Sequence, residues 1–156
     1  MAAADTTNAG TRFAATFAAL FAAHHVADYW IQTDHQAANK GRHGSPSENA
    51  AGRAACLAHV ASYSTAVTAV VAGTNRVLAL GATWRGILAG QAISAVSHYW
   101  ADRRYTMRHL ATRAGKLDFY DRGEGLAKGS AMLDQSWHLA WLTLAALATA
   151  TIGHRR

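Results

Sequence analysis

Apolar residues fall into four stretches of about twenty, separated by polar segments, and this pattern predicts long helices at residues 12–32, 53–73, 82–104 and 131–152. Residues 54–73 (AACLAHVASYSTAVTAVVAG) and 135–153 (QSWHLAWLTLAALATATIG) contain no Asp, Glu, Lys or Arg. At a rise of about 1.5 Å per residue, each is long enough to cross a hydrocarbon core of roughly 30 Å. The other two stretches are less uniform: 12–32 carries His24, His25 and Asp28, and 82–104 carries Arg85 near one end. A soluble bundle would tolerate those residues, but alanine-rich, lightly charged helices are poorly suited to a water-facing surface. The expected fold class is therefore all-α, a four-helix transmembrane bundle forming one helical membrane domain over residues 1–156.

The connections read differently. Residues 33–52 (TDHQAANKGRHGSPSENAAG) hold the only proline, Pro46, among turn-forming residues and read as a loop. Residues 105–129 form a longer basic connection in which YTMRHLATRAG suits a short interfacial helix. Gly86 and Gly90 make a GxxxG on the third helix, a spacing that a chain with 13 glycines also produces by chance. The first eleven residues lack Lys and Arg, so no cleavable signal peptide is expected. The lone Cys56 excludes an intramolecular disulfide framework and reads as a small core residue.

Composition sharpens the membrane reading, since charged residues are 15% of the chain against about 25% in typical globular domains. If four helices span, the two longer loops share a side and carry Lys40, Arg42, Arg53, Arg103, Arg104, Arg108, Arg113, Lys116, Arg122 and Lys128. Arg12, Arg76, Arg85, Arg155 and Arg156 lie on the other side. That asymmetry places the loops in the cytoplasm and both termini outside. Tyr29, Trp30, Tyr99, Trp100 and Trp137 should then anchor one interface. The partner expected is the lipid bilayer, with anionic headgroups meeting the basic loop at 103–128. Asp118, Asp121 and Glu124 in that loop disfavour nucleic acid. A homo-oligomer is compatible with the pattern.

The candidate chemistry lies in three pairs spaced four residues apart: His24 with Asp28, His98 with Asp102, and Asp134 with His138. Residues four apart share a helix face, so each pair points the same way. Counted along the helices, His24, His59, His98 and His138 fall roughly 10 Å below the cytoplasmic surface, with Asp28, Asp102 and Asp134 at roughly 3–6 Å. Ionisable groups in apolar segments are costly to keep and mark functional sites by default. Imidazole with carboxylate suits a divalent metal such as zinc, manganese or iron, and His24, Asp28, His59, His98, Asp102, Asp134 and His138 are the candidate ligands.

Seven groups exceed a closed four-ligand site, so either two metals bind or some aspartates orient the histidines. Asp28, Asp102 and Asp134 are the candidate catalytic residues, acting as ligand or general base in metal-assisted hydrolysis of a lipid-linked or phosphorylated substrate. The competing reading is non-enzymatic: a proton relay or carrier, or a structural or regulatory protein whose His/Asp pairs are interhelical hydrogen bonds. His25 reads as a packing residue, and His35, His43, His109 and His154 as solvated. No P-loop, dinucleotide fingerprint, GxSxG or zinc-finger spacing occurs.

The segments AHHVADYWIQTD (23–34), AHVASYS (58–64), SHYWADRR (97–104) and DQSWHLAWL (134–142) together resemble a family of small bacterial and phage membrane proteins, domain-of-unknown-function family 3307. The resemblance runs over roughly residues 15–150 and implies that His24, Asp28, Gln32, His59, His98, Asp102, Asp134, Gln135 and His138 match the family pattern. The departures are Ile31 where Leu is common and one additional residue in the DQSWH element. The resemblance implies a bacterial inner-membrane location and brings no activity with it.

Overall fold

The structure is a computed structural model that describes residues 8–153. The expectations for the segment before residue 8 and for His154, Arg155 and Arg156 lie outside the described residues. The described elements are all helical: α1 (Ala9–Val26), a π turn (Ala27–Ile31), α2 (Asp34–Asn39), α3 (Pro46–Val77), α4 (Trp84–Asp102), α5 (Tyr105–Arg113), α6 (Leu117–Asp121), a 3₁₀ turn (Gly125–Ala127) and α7 (Gly129–Thr151).

The four long helices form a ring in which α1 and α4 each pack against both α3 and α7. Their directions alternate. Arg12 at the start of α1 reaches Ala150 O at the end of α7 (3.2 Å), and Thr83 ahead of α4 bonds Ile152 O (2.8 Å). The ends of α1 and α4 therefore meet the starts of α3 and α7 at the opposite end of the ring. An apolar core of Leu20, Ala23, Tyr63, Val67, Val71, Ile87, Leu142, Ala145 and Ala146 fills the middle. The GxxxG spacing is a true close approach: a Cβ on Gly86 would stand 2.6 Å from Thr149 O, and one on Gly90 would stand 2.6 Å from Ala145 O.

Three features differ from the sequence expectations. The segment 33–52 is not an unbroken loop, because it contains α2 and the first turns of α3. Both helices begin with reciprocal caps. Thr33 Oγ1 accepts from Gln36 N–H while Gln36 Oε1 accepts from Thr33 N–H (3.2 and 3.0 Å), and Ser45 and Glu48 do the same (3.3 and 3.0 Å). With Pro46 in the first turn, these caps start α3 at Pro46 rather than at residue 53.

The first predicted helix, 12–32, is also interrupted. It gives way to a π turn at Ala27, closed by Gln32 N–H donating to Ala27 O at 2.9 Å. Finally, α3 is the one helix among the described residues that is long and apolar enough to cross a membrane, where the sequence pattern predicts four such spans. Strongly polar residues lower the mean hydropathy of the other three long helices: Arg12, His24 and His25 in α1, Arg85, Gln91 and His98 in α4, and Asp134, Gln135 and His138 in α7, while α3 gains from its valines.

Candidate metal centre

Each long helix contributes one histidine to the end of the ring where α1 and α4 finish and α3 and α7 begin. His24, His59, His98 and His138 are all buried, at 0–3% exposure. Their rings pack against one another, with centroids 4.3 Å apart for His98 and His138, 4.9 Å for His24 and His138, and 5.1 Å for His59 and His98. Tyr63 forms the floor of this layer. Its ring lies 4.0 Å from that of His98 and its hydroxyl is 3.1 Å from Ser94 Oγ.

The carboxylates cap the imidazoles. His59 Nε2 and His98 Nε2 stand 3.0 Å apart. Asp28 Oδ1 is 3.3 and 3.4 Å from these two nitrogens, and Asp102 Oδ2 is 3.3 and 3.2 Å from them. Around one metal ion with bonds of about 2.0–2.2 Å, neighbouring ligand atoms stand roughly 3.0–3.5 Å apart. Asp28 Oδ1 and Asp102 Oδ2 are buried and have no donor in good hydrogen-bond geometry, their polar neighbours being the two imidazole nitrogens and, through Asp102 Oδ1, Lys40. Buried carboxylate oxygens without donors are costly, and a cation is what such a donor set fits.

Two further groups extend the cluster. Asp102, Asp134 and His138 offer ligand atoms within 4.8 Å of one another, as do His24, His98 and His138, and either group could hold a metal ion, as could Asp28, His59 and His98. His138 Nε2 is 3.6 Å from Asp134 Oδ2, and His24 Nε2 is 3.5 Å from Asp28 Oδ2. The structure thus brings all seven candidate ligands into one cluster. The histidines outside it are placed differently: His25 is half-buried between Phe21 and Tyr29, while His35, His43 and His109 are exposed.

Two residues at the site carry no site role in the sequence reading: Lys40, and Gln32, which only the resemblance picks out. Lys40 reads as a cytoplasmic loop cation, yet it is buried and its Nζ lies 2.8 Å from Asp102 Oδ1. The Gln32 amide, oriented with its nitrogen donating to Asp28 O, presents its oxygen to His59 Nδ1 at 3.2 Å and to Lys40 Nζ at 2.8 Å. With Nδ1–H donating to Gln32, His59 keeps an unprotonated Nε2 facing the carboxylates, the tautomer of a metal-ligating imidazole. The π turn that carries Asp28 also sets Gln32, a local irregularity often found at functional sites.

Arg103 holds Lys40 in place. Buried at 2% exposure, its guanidinium donates to Lys40 O, Arg42 O and Asn49 Oδ1 at 2.8–3.1 Å, clamping the α2–α3 connection onto the end of α4. Arg104 follows in a left-handed conformation (φ 55°), which turns the chain into α5.

Above the carboxylates lies a cavity of about 470 Å³. Asp28, Asp102 and Asp134 form its base, and Lys40, Arg104 and Tyr120 stand on its walls. Burial, opposed by the Arg108 guanidinium, pushes the Tyr120 phenol above its usual pKa, so its hydroxyl stays a donor at neutral pH. No protein-family model, curated protein or solved structure matches this chain.

Proposed function

We propose that the chain is a multi-pass four-helix bundle of the bacterial inner membrane, with both termini outside, in which a divalent-metal centre near the cytoplasmic face catalyses hydrolysis. The resemblance to domain-of-unknown-function family 3307 is part of this reading. Its membrane component is supported by an inverted distribution of residues. Trp84, Leu88, Val96 and Leu57 are 58–72% exposed on the outer faces, while Arg12, Gln91, Asp102 and four histidines are buried inside.

The single observation that carries the metal is the quartet of His59 Nε2, His98 Nε2, Asp28 Oδ1 and Asp102 Oδ2, with contacts of 3.0–3.4 Å and carboxylate oxygens that have no donor in good hydrogen-bond geometry. Histidines at the centre of a bundle with carboxylates toward an open cavity suit zinc, manganese or iron. A divalent ion there supplies Lewis acidity and an acidified water. Asp134, 31% exposed at the cavity and less enclosed than Asp28 or Asp102, is placed to take a proton as general base. Elemental mass spectrometry of detergent-purified protein tests the reading: a stoichiometric divalent metal in the native chain should vanish in a His59→Ala, His98→Ala double variant that keeps its helical circular dichroism. Metal-free native protein overturns it.

A second reading rests on the Lys40–Asp102 ion pair and the His59–His98 hydrogen bond: a non-enzymatic relay or staple that joins helices through polar contacts. Asp102→Asn separates the two. A staple retains its hydrogen bonding, whereas a metal site loses affinity.

A further inference from the structure

The polar cavity has an apolar neighbour. A cleft of about 260 Å³ runs between α1 and α7, walled by Phe21, Leu139 and Leu142. Phe21 and Leu139 are 43% and 41% exposed, so its mouth faces outward from the bundle, where acyl chains would surround a membrane protein. At its inner end is His24, 2% exposed, with neither ring nitrogen in a hydrogen bond and Nε2 only 3.5 Å from Asp28 Oδ2. Tyr29 and Gln135 line both the cleft and the polar cavity, so the two spaces adjoin across these two side chains.

We infer that the two spaces together bind one amphiphile, with a single hydrocarbon chain in the α1–α7 cleft and a phosphate-monoester head in the polar cavity above Asp28, Asp102 and Asp134. The inference rests on the metal reading. Asp28, Asp34, Asp102 and Asp134 outnumber Lys40 and Arg104 around the polar cavity, so an anionic head enters only when a cation offsets the carboxylates. Donors on separate walls then favour phosphate over carboxylate: Lys40, which follows α2 and also holds Asp102; Tyr120 on α6 and Gln135 on α7, whose present bonds to Arg104 O and Asp134 are long at 3.4 Å; and Ser130 on α7. A tetrahedral head with several oxygens reaches more of them than a planar carboxylate does. The volume falls within the range of small-molecule sites. The cleft supplies what a free phosphate does not use, an apolar slot that ends at the buried centre.

The test measures binding of four probes to metal-loaded protein in dodecyl maltoside: oleoyl lysophosphatidate, oleate, monooleoylglycerol and inorganic phosphate. Metal content is read on every sample. Lysophosphatidate should bind at least about tenfold more tightly than each of the others, a difference of roughly 1.4 kcal/mol, and chelation should abolish that preference. Leu139→Trp, which narrows the cleft, should weaken lysophosphatidate binding about tenfold and leave metal content and inorganic phosphate binding unchanged. Equal binding of inorganic phosphate overturns the chain site; equal binding of monooleoylglycerol or oleate overturns the phosphate head. The probe comparison on the native chain decides the matter even if Leu139→Trp fails to fold. Normal metal content without this selectivity defeats the amphiphile site alone, whereas native protein without metal defeats the metal reading and this inference together.

Discussion

Lys40 Nζ lies 2.8 Å from Asp102 Oδ1, so a cation from the α2–α3 connection neutralises one oxygen of a buried carboxylate on α4 and leaves Oδ2 facing His59 and His98. Both partners are buried, and removing one strands the other. Lys40→Met should therefore destabilise the metal-free protein by about 3 kcal/mol. Bound metal offsets Asp102 in its place, so thermal unfolding in detergent should show a smaller loss with metal than with chelator. An equal loss in both conditions would place Asp102 outside the metal centre.

In the proposed centre Gln32 would act on a bound metal through His59. Its amide oxygen accepts from His59 Nδ1 at 3.2 Å, which orients the ring and selects its tautomer. Removing such a partner costs roughly 10- to 100-fold in metal affinity. Gln32→Ala should show that loss in a chelator-competition titration while the protein still folds. Unchanged affinity would mean that His59 is not a ligand.

Asp102 and Asp134 should separate binding from turnover. Asp102 is 3% exposed and meets both imidazole nitrogens of the quartet, whereas Asp134 is 31% exposed at the cavity. Asp102→Asn should lower metal occupancy. Asp134→Asn should leave most of the metal in place and reduce hydrolysis of a phosphate-monoester lipid by about 100-fold, the scale of general-base catalysis. The two variants are compared by metal content and phosphate release on the same preparations.

Gly90 should be intolerant of a side chain, because α4 and α7 meet there with no room for a Cβ: Ala145 O would lie 2.6 Å away. Gly90→Leu should destabilise by roughly 1–3 kcal/mol through overpacking, read as a fall in thermal midpoint. Gly73→Ala is the matched control. A Cβ there meets nothing within 4 Å, so the substitution should stabilise α3 by about 0.5–1 kcal/mol through helix propensity.

The helical class and the faces on which the chemistry lies follow from the order of residues alone. The long apolar stretches and the four-residue spacing of His24 with Asp28, His98 with Asp102 and Asp134 with His138 are local properties, and helical geometry converts them directly into shared faces. The reading of 33–52 as a loop rests on turn-forming composition and Pro46 and passes over two capping boxes, Thr33 with Gln36 and Ser45 with Glu48, that start α2 and α3. The GxxxG at Gly86 and Gly90 takes its meaning from α7, whose backbone packs directly against it.

Tertiary structure alone decided how the three pairs and His59 share one centre. The distances of 3.0–3.4 Å that join His59 to His98, Asp28 and Asp102, and His98 to Asp28, run between elements far apart in the chain, and no spacing along a single helix specifies them. It also decided the roles of Lys40 and Arg103. As loop cations both suit solvent or lipid headgroups. Only the folding of the α2–α3 connection onto the end of α4 gives them buried carbonyl and carboxylate oxygens to bind, and a long cationic side chain stays where its charge is met.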